Sequence, residues 1–247
     1  MMHFIRWSVA GLVFCATALS PATGATINWT TWKTKPTGTA AEGTLMVGST
    51  GVGVSYSGEI AFAQLNGSGT NFFTPATTFT APPAVMNSPP SDMIAIDGTA
   101  TTHMITFSTP VVDPVMEIVS LGQSAVHTQY TFSLSGGQSM AILAQGPSAA
   151  FGGCATCLTL TGSTIEGREG DGLIQFTGTF KSLIWTGANP EFWNGITVGA
   201  TGLPVPEPET WGLMLLGLGL ALTRIVRLRA CHRGRALRHN DVRMTIG

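Results

Sequence analysis

Cys154 and Cys157 form the one Cys-x-x-Cys pair in the chain, within Gly152-Gly-Cys-Ala-Thr-Cys157. In an oxidising compartment such a pair closes a small disulfide loop, and here it would staple the start of a strand. Free thiols and a redox or metal site are the other readings. A thioredoxin-like site would put the motif at a helix N-terminus, whereas these flanks are glycine before and β-prone residues after. A zinc site would need two more ligands, for which His103 and His127 have no paired spacing. Three carboxylates, Glu166, Glu169 and Asp171, sit among glycines in residues 166–172. Such a set offers hard oxygen ligands to Ca²⁺, yet Arg168 lies inside it and the spacing fits no standard calcium loop. A solvated hairpin turn is the favoured reading, with no metal and no cofactor expected. Phe192 and Trp193, in Asn189-Pro-Glu-Phe-Trp-Asn-Gly195, form a candidate platform for a sugar ring, against the plainer role of core plugs.

No Gly-x-Ser-x-Gly, His-Glu-x-x-His or P-loop occurs. His103, His127, Asp113 and Glu117 would have to be gathered by folding, so no catalytic residue is assigned and a non-catalytic protein is expected. A glycan hydrolase stays open as the alternative because it needs only two carboxylates. A calcium-dependent adhesion module is another, resting on residues 166–172.

The elements that must position these groups are strands. Period-2 alternation runs through residues 59–65, 103–108 and 129–134. Further strands are expected at 52–57, 92–97, 114–121, 139–145, 157–161, 173–176, 180–186 and 196–198. Gly (31) and Pro (14), with abundant Thr and Ser, favour short strands and turns over long helices. The expected fold is all-β, an antiparallel two-sheet sandwich with jelly-roll-like topology, over residues 26–203. Residues 81–91, with four prolines, read as a long surface loop within one domain.

The two ends have a different composition. Arg6 precedes an apolar stretch over residues 7–19 and then small residues to Ala25, the layout of a secretory signal peptide over residues 1–25. Between residues 26 and 204 four basic residues face ten acidic ones, a net charge of −6. That balance argues against a nucleic-acid partner. Seven arginines crowd the last 24 residues. Between the domain and these arginines lie Val205, Pro206, Glu207 and Pro208, then the apolar Trp211-Gly-Leu-Met-Leu-Leu-Gly-Leu-Gly-Leu-Ala-Leu222. The prolines hold the approach extended, Trp211 suits a membrane interface, and Arg224, Arg227 and Arg229 act as a stop-transfer group. A short transmembrane helix is therefore expected, with residues 230–247 as a basic cytoplasmic tail.

This order of Val-Pro-Glu-Pro, short Gly/Leu-rich helix and arginine cluster, over residues 204–229, resembles the PEP-CTERM sorting signal of Gram-negative bacteria. The resemblance implies that Val205, Pro206, Glu207 and Pro208 are read by an exosortase, a membrane-embedded processing enzyme. It also implies an exported protein, anchored in the inner membrane as a precursor and then placed in the cell envelope or outside. Association with extracellular polysaccharide or matrix is a further implication. Exported PEP-CTERM proteins often carry β-sandwich domains, and residues 105–114 look similar to them.

Overall fold

In the computed structural model, residues 26–97 and 102–203 are described. By backbone contacts the chain divides into two units, 1–202 and 203–247, and the strands belong to the first. The expected signal peptide and C-terminal helix lie outside the described residues. Among the described residues no helix is long and apolar enough to cross a membrane.

Among the described residues fifteen strands form: β1 Asn28–Trp29, β2 Thr31–Thr37, β3 Ala40–Val47, β4 Thr50–Ser57, β5 Phe62–Gln64, β6 Met93–Ile96, β7 Thr102–Val112 and β8 Val115–Leu121. They continue with β9 Thr128–Phe132, β10 Ser139–Gln145, β11 Leu158–Thr161, β12 Thr164–Gly167, β13 Gly170–Thr177, β14 Thr179–Ala188 and β15 Asn194–Ala200. One 3₁₀ turn, Ala76–Thr78, is the helical element among the described residues. All strand pairings are antiparallel. One sheet has the order β10-β13-β8-β15-β6-β5, with β1 on the end of β15. The other has the order β11-β12-β9-β14-β7-β4-β3-β2.

The sheets face each other as an all-β, sandwich-like pair. Phe132 of β9 meets Phe176 of β13 edge-on at 4.9 Å, and Trp185 of β14 is fully buried beside Tyr56 and Tyr130. Tyr130 Oη crosses to the opposite sheet and donates to Asn194 Oδ1 at 2.8 Å. Each large apolar side chain so buried contributes about 1.5–3 kcal/mol from water exclusion.

The sheets differ in how they are covered. In the eight-stranded sheet β3 alternates buried and exposed positions, as one covered face requires. In the seven-stranded sheet every residue of β6, β8 and β15 is buried. Its outer face is roofed by the segments that join its strands. Phe73 and Phe79 pack on Met93, Ala95 and Val119, while Val85, Ile27 and Trp29 pack on Val115 and Leu173. Gly199 of β15 makes this approach possible, because a Cβ there would run into Ile27 and Trp29. Residues 81–91 form the irregular loop expected, with residues 82–84, 86 and 90 exposed, and its buried side chains also make it part of the roof. Val85 is buried, and Asn87 ties the segment down by accepting from Ile27 N–H at 2.8 Å and donating to Ile27 O at 3.0 Å.

Candidate functional site

Residues 166–172 do not make a hairpin turn. Glu166 and Gly167 end β12 in the eight-stranded sheet, Arg168 and Glu169 cross over, and Gly170 opens β13 in the other sheet. The tight turn lies earlier, between β11 and β12, where Thr161 faces Thr164 and Gly162 takes a φ of 61°. The crossover separates the three carboxylates. Glu166 stays on its sheet, accepting from Gln129 Nε2 at 2.7 Å and pairing with His127 Nδ1 at 3.0 Å. The Gln129 hydrogen bond, with help from His127, lowers its pKa.

Glu169 and Asp171 turn instead to the end of β8, where a third acid joins them. Ser120, a non-glycine residue at a φ of 59°, donates its N–H to Asp171 Oδ1 at 2.8 Å and its hydroxyl to Glu169 Oε2 at 2.9 Å. Two residues on, Gly122 N–H donates to Glu191 Oε1 at 2.7 Å, and Asn194 Nδ2 reaches the same oxygen at 3.0 Å. Glu169 N–H in turn donates to Gly122 O at 3.1 Å. Glu169 itself stands at a φ of 53°, so two left-handed, non-glycine residues are hydrogen-bonded to each other here. Backbone held in such sparsely populated regions costs on the order of 1–3 kcal/mol per residue and tends to cluster at functional places.

Asp171 is fully buried, and its Oδ2 has no hydrogen-bond partner. Burial pushes its carboxyl up to about 7 against the pull of the Ser120 N–H and of the Ser148 hydroxyl and N–H, with the neighbouring charge of Glu169 adding to the rise. Burial likewise pushes Glu191 up to about 7, opposed by the Gly122 N–H and Asn194, and Glu169 again adds. Three carboxyls therefore share one seam at the end of β8, and its anchors are neutral donors. Among the described residues no group of three His, Cys, Asp or Glu is placed to hold a metal ion. Glu191, Ser120, Gly122 and Asn194 carry no signal in the sequence that would single them out. Glu191 lies inside the Asn189–Gly195 motif, whose aromatic pair is its more conspicuous feature.

That pair is split where the chain bends at Phe192, just before β15. Phe192 is 81% exposed, whereas Trp193 turns inward onto Phe62 at 5.0 Å, Phe151 at 5.2 Å and Phe72 at 5.8 Å. Trp193 serves as packing, and Phe192 is left as a single projecting ring. Cys154 and Cys157 are joined as a disulfide with their Cα atoms 5.1 Å apart, just before β11.

The candidate acid–base groups remain apart. His103 is fully buried, stacked on Trp185 at 5.4 Å, with Nδ1 2.8 Å from Tyr56 Oη. Burial lowers its pKa to about 4, so the ring is neutral near pH 7. His127 belongs to Glu166, and Asp113 accepts the Gly178 N–H at 2.7 Å, which shapes the turn between β7 and β8. Glu117, on the roofed face of β8, is fully buried with neither oxygen hydrogen-bonded. Burial pushes its pKa well above the ordinary carboxylate value. On the open face of the eight-stranded sheet, a shallow groove of about 320 Å³ runs over Gly43 and Gly53 between Glu42 and Lys181.

The site and fold define an all-β protein of two antiparallel sheets with a buried acidic seam at one end. The segment after the domain is more specific, since residues 204–230 match the model of the PEP-CTERM protein-sorting motif. The match takes in Val205, Pro206, Glu207 and Pro208 together with Arg224, Arg227 and Arg229, all outside the described residues. No curated protein and no solved structure matches the chain.

Proposed function

We propose that this chain is an exported, non-catalytic protein whose β domain is displayed at the cell envelope after processing of its C-terminal signal by an exosortase-type enzyme. The observation that carries the reading is the sorting motif at residues 204–230, which comes directly after the last strand, ending at Ala200. A short apolar segment followed by arginines is suited to holding a precursor in the inner membrane while Pro206, Glu207 and Pro208 are read. The domain's charge of −6 between residues 26 and 204 fits a surface facing neutral or cationic matter rather than nucleic acid. Extracellular polysaccharide is the contact we assign to the projecting Phe192, since one exposed ring beside the packed Trp193 offers a stacking face.

Replacing Pro206, Glu207 and Pro208 together with alanine tests the reading. Fractionation of the producing cells should then show uncleaved precursor in the membrane fraction in place of the processed form. Unchanged processing and distribution would remove the sorting role and leave a plain hydrophobic tail.

A further inference from the structure

We propose that the seam of Glu169, Asp171 and Glu191 is a proton-operated latch: while it holds protons it fastens residues 168–171 and 189–193 to the end of β8, and full ionisation releases them. Three separate segments meet only here. Glu169 and Asp171 come from the β12–β13 crossover, Glu191 comes from the β14–β15 connection, and both are tied to the same short turn through Ser120 and Gly122. The connection that Glu191 anchors also carries Phe192 and Trp193, so its release alters how the exposed ring is presented.

The groups packed around the acids supply no counter-charge. The end of β8 offers Ser120, the residue after it Gly122, and the start of β15 offers Asn194. From the 146–156 segment comes Gly153, where a Cβ would stand 2.7 Å from Asp171 Oδ2. Among the described residues the one ion pair, His127 with Glu166, lies elsewhere on the eight-stranded sheet, and Arg168 is exposed. Asp171 Oδ2 is fully buried with no close hydrogen-bond partner, and the neutral hydroxyl and N–H of Ser148 nearby bring no charge, so it is the atom that asks for a cation. A proton fits there, since no set of three ligands among the described residues is placed for a metal. Proton loss adds negative charges beside Glu169 in a dry site, which disfavours the closed form.

The direction comes from linkage. Both Asp171 and Glu191 bind protons more tightly in the closed form, with values raised to about 7. Their contribution is complete below the ordinary carboxylate range and is lost as pH rises through about 7.

Hydrogen exchange at the Ser120 and Gly122 amides, in the full-length chain in detergent between pH 5.5 and 8.5, tests this locally and leaves Glu117 out of the readout. After correction for the intrinsic rate at each pH, opening of these two amides should rise from pH 5.5 to about 7, by up to about tenfold per pH unit for each carboxyl that ionises on release, and level off above pH 7, where both acids are ionised in the closed form too. The double variant Asp171→Asn, Glu191→Gln should lose that rise. Glu169→Gln, a milder change at a partly exposed residue, should make the rise smaller and end it at lower pH, because the charge of Glu169 adds to the raised values of both acids. Equal pH profiles in wild type and Glu169→Gln would overturn the latch. So would protection of both amides by added Ca²⁺ at pH 8, which would make the seam a metal site.

Discussion

The two sheets of this domain solve burial in opposite ways. The seven-stranded sheet is roofed on its outer face, so that β6, β8 and β15 are buried throughout. The eight-stranded sheet leaves its outer face to Thr, Ser and a few charged side chains, with a row in register from Thr161 through Thr164, Thr131 and Thr186 to Thr102. The buried carboxyls belong to the roofed side or its end: Asp92 just before β6, Glu117 beneath the roof, Asp171 and Glu191 at the seam. The lesson is that a long irregular roof makes room for polar groups with raised pKa values, whereas an open β face gives its polar groups water and needs no such adjustment.

Four predictions sharpen or break this contrast. Phe79→Ala, in the roof, should cost about 3–5 kcal/mol in urea unfolding, as truncation of a fully buried aromatic does. A loss under about 1 kcal/mol would mean the roof is not part of the core. His103, neutral in its aromatic box with a pKa of about 4, should make stability fall as pH drops from 6.5 towards 4. The sign is that of a base whose folded value is lowered: the unfolded chain takes up the proton first, at a cost of about 3 kcal/mol. His103→Gln should flatten that slope in thermal melts. Glu117→Gln should stabilise the domain at pH 8 by about 1–3 kcal/mol, because it removes an unpaired buried acid. A raised acid stabilises below its ordinary value of 4.5 and loses that contribution as pH rises, so the gain should vanish in acid. Thr186→Ala, on the open face, should change stability by less than about 0.5 kcal/mol.

Much of the strand pattern was legible. Residues 139–145 coincide with β10, and 52–57, 103–108 and 180–186 fall within β4, β7 and β14. The strands without a sequence signal have physical reasons for lacking one. β2 exposes six of its seven residues and contains Pro36, so it has no apolar period. In β3 two of the inward positions are the small Ala41 and Gly43, and Gly43 is needed because the carbonyl of Thr31 and the side chain of Thr30 press on it. Residues 59–65 alternate, yet only Phe62–Gln64 pairs, at an edge. β12 is hidden by the expected turn, because its four residues include two of that turn's own, Glu166 and Gly167.

The seam was half legible. Glu169 and Asp171 stand out as a local cluster, but Glu166, their neighbour in sequence, belongs to the other sheet. Glu191, twenty residues beyond Asp171, reaches the cluster only through the turn at Ser120 and Gly122. Sequence proximity and spatial proximity diverge here because one short crossover carries the chain between sheets. The sorting motif, by contrast, is a linear segment, which is why its order of residues is recognisable without any fold.

Mass spectrometry of the mature protein recovered from the envelope tests the central claim most directly. The account predicts a chain that starts at Ala25 or Thr26 and lacks the arginine tail from Arg224 onward. Peptides that begin at Met1, or that cover residues 224–247 in the envelope form, would contradict it.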